Sequence, residues 1–535
     1  MRLIIKEYIS QLKEKDELDL LLLELLVQNG YVADNIPRTG NRQYGVDIQL
    51  HNEEEILLLV IKQGNIDRTM WDSCPNAVRQ SLDEIKDAYM DLLTEQEKKK
   101  KIKVVVTTNG VKEESIRANW KGYVDHNKDW NGKKVEIEFW GIDDIVKLIQ
   151  LNYLNEHIFE QPLQSALRKA LYFVEETDYK KEYYEKIIQT LLAKITTENN
   201  KGINKSLTCL HLSCEMICQY ANDSGNSKIA INVSEYLLIQ YWKFLFKKNY
   251  FGKKKWVEWL LKFCMDYEKW NDVYYEKIRE VCIDPMLFPN YNVVENRIIL
   301  YEIMGYLTAY ATYLFVYKRE KALLVLNDVI SLINNYPNII YAPFDSNIGI
   351  KLSLYRLLAK YNRIDDIKIL LEDQSRILVN YYRGQHKYPA PSDTFEEAIN
   401  IESRNLVEEY KYSGFWGYTL LCIVSLDFES LYNEIKEFLK DDLEQVAKCI
   451  WFLRKNEEEI YYERCAMNLA GEGVELPVEM EYSDFKRKAE FILSHYKNEQ
   501  MSFDEFNFEP LEIIICRYYG YIPRINANFL FPQPQ

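Results

Sequence analysis

The first part of the chain alternates between two hydrophobic periods. The segments "YGVDIQL" and "EILLLVIK" (44–62) have the short apolar runs of strands and flank the polar turn "HNEEE". Before them, "DELDLLLLELLVQNGY" has the pattern of an apolar helix that ends at Asn29 and Gly30. The segments "KIKVVVTTNG" (101–110) and "KVEIEFWG" (134–141) predict two further strands, each followed by a helical pattern. Strands separated by helices in this way predict an α/β domain with a central mixed sheet and helices on both faces.

One helix between these strands has a distinct start. The segment "WDSCPNAVRQSLDEIKDAYMDLL" (71–93) has apolar residues on one helical face. Proline is well tolerated at the first helical positions, where the backbone N–H has no partner within the helix. The pattern therefore predicts an amphipathic helix with Pro75 in its first turn.

The pattern changes to helical spacing from about residue 165 onward. Almost no strand signal remains, and segments such as "REKALLVLNDVISLI" and "LEQVAKCIWFLRK" (443–455) have apolar residues at helical spacing. This large all-α region resembles an α-helical repeat array, or solenoid. The polar, proline-containing stretch 383–398 divides it. We expect three domains: an α/β domain over 1–158 and two helical parts over 159–382 and 383–535.

Composition limits the classes of function. The chain has 535 residues, 47% of them hydrophobic, which suits a large core and more than one domain. Its net charge of −15 argues against a protein that coats nucleic acid through charge alone. The amino terminus has no signal-peptide pattern, no run approaches the roughly 18 apolar residues of a membrane span, and the ten cysteines form no paired framework. We expect a cytoplasmic protein without a membrane segment and, lacking a phosphate-binding loop, without a nucleotide cofactor.

The strand pair 44–62 holds candidate chemistry. Strand alternation places Asp47 and Gln49 on one face of the first strand. It places Val60 and Lys62 on one face of the second strand. A buried ammonium without an anion is costly, so Lys62 either lies at the solvent-exposed end of the sheet or meets an anion, and Asp47 is the available one. A carboxylate that holds Mg²⁺ or Mn²⁺ beside a lysine that orients water or balances charge suits phosphodiester hydrolysis. The alternative is a structural ion pair that caps the hairpin.

The preceding helix and loop offer further groups. Asp19 lies on the same helical stripe as Leu23 and Leu26, so it either reaches solvent at the helix start or binds a ligand. Asp16, one turn earlier, is a substitute. Arg38 and Arg42 lie in a short basic loop that either contacts DNA phosphates or forms a solvated turn.

Together these residues resemble a known family. Asp19, "LLVQNGY" (25–31), "GVD" (45–47) and "VIK" (60–62) follow the order of the Mrr-type branch of the PD-(D/E)XK restriction-endonuclease superfamily, over residues 16 to about 150. The resemblance implies a restriction-endonuclease-like fold and Mg²⁺- or Mn²⁺-dependent DNA cleavage. It also implies that Asp47 and Asp19 are metal ligands and that Lys62 is the catalytic lysine.

The sequence departs from that pattern at Val60, where the family has Glu or Gln. Either the metal is held by Asp47, Asp19, the Ile61 carbonyl and waters, with Gln63 or Gln49 filling the vacancy, or the site is degenerate and the fold is a DNA- or protein-binding scaffold. The first alternative makes the protein an endonuclease. We interpret it as an anti-phage defence effector whose helical region senses a trigger, binds a partner protein or self-assembles. RNA is the other possible substrate.

Overall fold

A computed structural model describes most of the chain. The described residues are 2–35, 44–130, 132–151, 161–176, 179–196, 200–284, 286–287, 293–340, 345–385, 411–452, 458–463, 472–496 and 500–524. The chain divides into two compact units, Met1–Val233 and Ser234–Gln535.

The first unit contains a mixed sheet of six described strands. Its order is β1-β2-β3-β4-β6-β5; β1 to β3 run antiparallel, whereas β3, β4 and β6 run parallel to one another. The short β5 pairs antiparallel with β6. The strands are β1 (Val32–Asn35), β2 (Ile48–His51), β3 (Glu55–Lys62), β4 (Lys101–Thr108), β5 (Asp129–Trp130) and β6 (Lys133–Trp140).

Helices precede, separate and follow these strands. They are α1 (Arg2–Ile9), α2 (Asp19–Gln28), α3 (Val78–Glu84), α4 (Met90–Leu92), α5 (Arg117–His126), α6 (Ile142–Leu151), α7 (Gln161–Tyr172), α8 (Glu182–Ile195) and α9 (Asn200–Asp223). Three π-helical turns interrupt the series, at Glu14–Leu18, Thr69–Ser73 and Ile85–Tyr89.

The strand β3 shows how the sheet is buried. Ile56, Leu58 and Val60 pack in one apolar cluster with residues of α3 and α5. The residues between them, which alternation directs to the opposite face, are equally buried. Both faces of the sheet are therefore covered, as predicted for a strand without a polar face, and the predicted mixed sheet in the first part of the chain is confirmed.

The predicted helix start near Pro75 is wrong. Pro75 lies in a turn closed by a hydrogen bond from Ala77 N–H to Cys74 O (3.1 Å), and α3 begins only at Val78. Asn76 adopts a positive φ of 62°, a conformation that asparagine tolerates and that a continuing helix cannot contain. The helical pattern therefore divides into the π-helical turn before Pro75 and the helix after it.

Most described residues from 161 onward are helical, as predicted. In the second unit these helices are α10 (Ser227–Lys248, which begins before the boundary), α11 (Lys254–Ile283), α12 (Val293–Tyr317), α13 (Arg319–Asn335), α14 (Ile348–Lys360), α15 (Ile364–Gln385), α16 (Gly414–Ser425), α17 (Glu429–Glu437), α18 (Glu458–Tyr461), α19 (Tyr482–His495), α20 (Ser502–Glu505) and α21 (Pro510–Tyr519).

The helical interpretation of "LEQVAKCIWFLRK" is wrong. This segment contains β8 (Ala447–Phe452), which pairs parallel with β7 (Tyr412–Ser413) and antiparallel with β9 (Glu472–Glu475). Alternate residues of β8 are buried, which is the period of a strand. A short apolar run fits both periods, and here the pairing partners select the strand.

One described helical stretch, Ile298–Tyr317 in α12, is long and apolar enough to cross a membrane by length and composition. Its most apolar window is 83% buried within the protein, and a core helix of that kind passes the same test. The stretch is therefore only a weak indication of a membrane span.

The expected domain boundaries stay predictions. The helices α7 to α9 follow the boundary expected at 158 and belong to the same compact unit as the sheet. The dividing stretch 383–398 begins within α15, and its residues after Gln385 lie outside the described part of the chain.

Candidate functional site

Polar side chains gather where β3 and β4 end. Lys62, the last residue of β3, pairs with Thr108 at the end of β4. The Asn109 amide that follows accepts a hydrogen bond from Gly64 N–H (2.7 Å) and donates one to Leu12 O (2.8 Å). Because Leu12 precedes α2, these bonds fasten the segment between α1 and α2 to this edge of the sheet.

Asp47 reaches the same edge from the bend before β2. Its N–H donates to Leu59 O (2.8 Å), and its Oδ2 accepts the N–H of Ile61 (2.7 Å). The bend depends on Gly45, which has a φ of +82° and where a Cβ would lie only 2.2 Å from Ser81 O. Only glycine fits such a position without displacing the backbone.

The alternation expected along this strand is interrupted at Asp47. Val46 belongs to the apolar cluster of β3, and Gln49 bonds to Tyr89 of that same cluster. Val46 and Gln49 are three residues apart, so regular alternation would have placed them on opposite faces. Asp47 N–H also bonds to Leu59, which is already the partner of Ile48. This is the arrangement of a β-bulge, in which two residues oppose one. The expectation that Asp47 and Gln49 share a face is therefore wrong, and the Asp47 carboxylate lies beside the β3 backbone instead.

Lys62 is buried close to Asp47 without forming an ion pair. Its exposed fraction is 7%, and among the described residues it has no hydrogen bond or ion pair. Its charge nevertheless acts on Asp47 and favours the ionised carboxylate. A directly paired Asp47 and Lys62 would have capped the hairpin structurally, and the structure does not contain that pair. A lysine whose stem is buried and whose ammonium has no direct partner among the described residues can contact a ligand, which marks Lys62 as a candidate functional group.

The surroundings of Asp47 identify a residue that sequence reasoning missed. Burial raises the pKa of Asp47, and the Ile61 N–H and the Lys62 charge oppose that rise. Glu14 raises the same pKa further, whereas Lys15 lowers it. Both residues lie on the π-helical turn Glu14–Leu18. The helical stripe that selected Asp19 assumes 3.6 residues per turn, so it gave no signal for an acid on a π-helical turn.

Asp19 is buried but is not joined to the other two candidates. Its exposed fraction is 7%, and its Oδ1 accepts the N–H of Leu20 (2.8 Å). No hydrogen bond or ion pair connects Asp19 to Asp47 or Lys62 in the part of the chain that the structure describes. Glu14 is therefore among the charges that act on Asp47, whereas Asp19 makes no described contact with it.

The other candidates have separate positions. The Gln49 amide accepts from the Tyr89 hydroxyl (2.7 Å) and donates to Glu97 (2.8 Å), so both of its ends are engaged. Gln63 donates to Leu12 O (3.1 Å). Three of the predicted site groups lie outside the described part of the chain. They are the side chain of Asp16 and the residues Arg38 and Arg42.

The donor set is suited to a cation that keeps much of its hydration. Among the described side chains, no group of three or more His, Cys, Asp or Glu is placed to hold a metal ion. Mg²⁺, however, commonly binds through one or two carboxylates, waters and substrate phosphates. Asp47 and Glu14 offer carboxylates. The Ile61 carbonyl points to the same side as the N–H that Asp47 accepts, since both groups of a strand residue face one neighbour. Val60, which packs in the apolar cluster, has no side-chain atom that could bind a metal ion.

Known proteins provide no independent guide to this site. Comparison with protein-family models, curated proteins and solved structures finds no match to the chain. A function for this protein therefore has to be inferred from the position of Lys62, Asp47 and Glu14 at the edge of the sheet.

Proposed function

We propose that the α/β part of the chain is a metal-dependent DNA endonuclease with a restriction-endonuclease-like fold. One observation carries the proposal: Lys62, only 7% exposed, has no hydrogen bond or ion pair among the described residues, and its charge favours the ionised form of the half-buried Asp47 carboxylate. We expect such a charge to be retained because a ligand with negative charge binds to it.

The order of the elements supports the fold. The resemblance requires an apolar helix, a hairpin that carries an acid and a lysine, a strand followed by a loop and a helix, and a closing strand and helix. The described elements α2, β2, β3, β4, α5, β6 and α6 occur in this order. Asp47 stands directly before β2 and Lys62 is the last residue of β3, so the two meet at one edge of the sheet.

The proposed mechanism assigns a role to each group. Asp47, Glu14 and the Ile61 carbonyl would hold Mg²⁺ or Mn²⁺, with waters and a DNA phosphate as further ligands. The bound cation supplies a polarised phosphate and an acidified water. Lys62 donates hydrogen bonds to the phosphate oxygens and balances the negative charge that develops on them. The burial of most of the Lys62 side chain and the partial burial of Asp47 reduce screening by water and so strengthen both interactions.

The proposed endonuclease is cytoplasmic and acts as an effector of anti-phage defence. In this proposal the helical array after the α/β part, solenoid-like in form, senses a trigger, binds a partner protein or assembles copies of the chain. The layout supports this role, because a DNA-cutting domain needs a means of restraint in its own cell and the array shares the chain with it.

Cleavage assays test the activity. The full-length protein is expected to cut plasmid DNA with Mg²⁺ or Mn²⁺ and to stop when the metal is chelated. Asp47→Ala should be inactive because it removes the carboxylate ligand. A parallel assay with single-stranded RNA decides between the two nucleic acids. Cleavage that survives both chelation and Asp47→Ala would remove this site assignment.

A catalytically degenerate scaffold is the second candidate. Two points favour it: Val60, which packs in the apolar cluster, stands where the resemblance implies Glu or Gln, and no described cluster has three metal-binding side chains. The scaffold should bind DNA or a partner protein and leave plasmid intact under every metal tested. DNA binding without cleavage, unaffected by Asp47→Ala, would favour the scaffold over the nuclease.

The choice between Glu14 and Asp19 gives a separate prediction. Glu14→Gln is expected to weaken Mn²⁺ binding and to slow cleavage by about 10–100-fold, the range seen when a residue that supports a metal site is lost. Asp19→Asn, matched in chemistry, should change both much less because Asp19 has no described contact with Asp47. Titration of Mn²⁺ followed by electron paramagnetic resonance measures the affinity. The opposite ranking of the two variants would restore Asp19 as the ligand.

A further inference from the structure

Helix α9 contacts the segment that carries Glu14. The Lys205 ammonium donates a hydrogen bond to Glu17 Oε1 (2.8 Å), and both side chains are only 17% exposed. Nearby, Gln11 donates to the hydroxyl of Thr208 (2.9 Å), which is buried on the same helix. Both contacts lie within the first compact unit, so they connect α9 directly to the chain between α1 and α2.

Glu17 connects this contact to the π-helical turn. Its other oxygen, Oε2, accepts the N–H of Lys13 (2.8 Å), which is the residue that begins the turn. Partial burial alone would raise the pKa of Glu17, but hydrogen bonds from Lys205 and Lys13 outweigh burial and lower it. A single ionised carboxylate therefore joins the start of the turn to α9.

The chain just before the turn is held by residues that follow strands β3 and β4. Asn109 and Gln63 both donate to Leu12 O, at 2.8 and 3.1 Å. π-Helical turns are rare and are often found at functional sites. The segment with Glu14 therefore follows a residue that is fastened beside the sheet and contains Glu17, which is bonded to α9.

We propose that Lys205 is a positioning residue for the metal site. Through Glu17 it holds in place the π-helical turn that carries Glu14, the second carboxylate of the proposed site. The inference rests on the proposed function and adds to it a means of regulation. A displacement of α9 breaks the contact between Lys205 and Glu17, releases the turn and weakens the site without touching a ligand.

Hydrogen exchange and metal binding on the full-length protein test this role. Lys205→Met removes the charge and keeps most of the stem, whereas Lys205→Arg keeps the cation. Lys186→Met on α8, an exposed position with no described side-chain contact, is the control. Lys205→Met should speed amide exchange over 14–18 at least about tenfold. The free energy of a hydrogen bond to a charged group corresponds to a factor of about that size. Mn²⁺ affinity and cleavage should fall about 10–100-fold. Lys205→Arg should restore much of each.

The outcomes separate this inference from the proposed function. Faster exchange together with weaker Mn²⁺ binding, both recovered in Lys205→Arg, would support the positioning role, since a general loss of stability would not be confined to 14–18. An active wild-type protein that depends on Asp47 but whose Mn²⁺ affinity is the same in Lys205→Met and Lys186→Met would overturn this inference alone. A wild-type protein that neither binds Mn²⁺ nor cleaves would end the proposed function, and the positioning role with it.

Discussion

Lys62→Met is expected to abolish metal-dependent cleavage and to leave the fold about as stable as before. The loss of rate should be about 10²–10³-fold or more, as when one donor to a developing negative charge is removed. Methionine fits the stem of lysine, so the packing around β3 is retained. Because most of the side chain is buried but the ammonium has no hydrogen bond or ion pair among the described residues, its removal should lower the free energy of unfolding by no more than about 0.5 kcal/mol.

Plasmid cleavage and thermal unfolding measure the two effects on the same preparation. Lys147→Met, an exposed change on α6, is the matched control and should alter neither. Loss of activity without loss of stability is the result expected when the replaced residue acts in function and not in folding. If Lys62→Met instead lowers the unfolding temperature by many degrees, Lys62 has a structural role, and full activity in this variant would contradict the mechanism.

Glu512→Gln is expected to destabilise the second unit. The Glu512 side chain is only 1% exposed and lies between two guanidinium groups. Its Oε2 accepts from Arg356 (3.1 Å), and its Oε1 accepts from Arg524 Nε (2.9 Å) and from the Arg524 backbone N–H (2.8 Å). Removal of the charge takes the shared anion from two largely buried guanidinium groups, but Arg356 keeps Glu509 and Arg524 keeps Asp504, so the cost should be about 1–3 kcal/mol. Chemical denaturation monitored by circular dichroism measures the loss.

The acidic side of the pH profile provides a second readout. Burial would raise the pKa of Glu512, but Arg524 and Arg356 outweigh burial and bring it to about 2 from an ordinary value of 4.5. A depressed pKa means that the stabilisation is complete above pH 4.5 and is lost as the pH falls toward 2. Glu512→Gln removes this contribution, so its stability should change less than that of the wild type over this range.

Glu505→Gln serves as the control for the second prediction. Glu505 lies exposed on α20 and has no described side-chain contact, so its neutralisation should change the free energy of unfolding by no more than about 0.5 kcal/mol. Equal stability of Glu512→Gln and Glu505→Gln would show that the cluster around Glu512 is energetically neutral, as some buried ion pairs are.

Hydrophobic periodicity alone was enough to predict much of the first unit. The apolar helix ending at Asn29, the hairpin of β2 and β3, and the strands β4 and β6 all agree with the structure. The periodicity also led to Lys62 as an unusual charge at the end of an apolar strand, and in the structure its side chain is 7% exposed. These features could be predicted because they are local. The spacing of apolar residues within one segment indicates which of its residues are buried.

The tertiary structure decided the features that depend on remote segments or on irregular backbone. The bulge at Asp47 shifts the alternation by one residue, and Glu14, whose charge acts on Asp47, lies on a π-helical turn that regular spacing does not predict. Strand β8 forms because two partner strands are present, although its sequence also fits a helix. Regular spacing predicts which residues are buried, but a single extra residue in a strand or turn redirects the side chains that follow it. The charge of Glu14 on Asp47 and the contact between Lys205 and Glu17 were therefore visible only once the chain was folded.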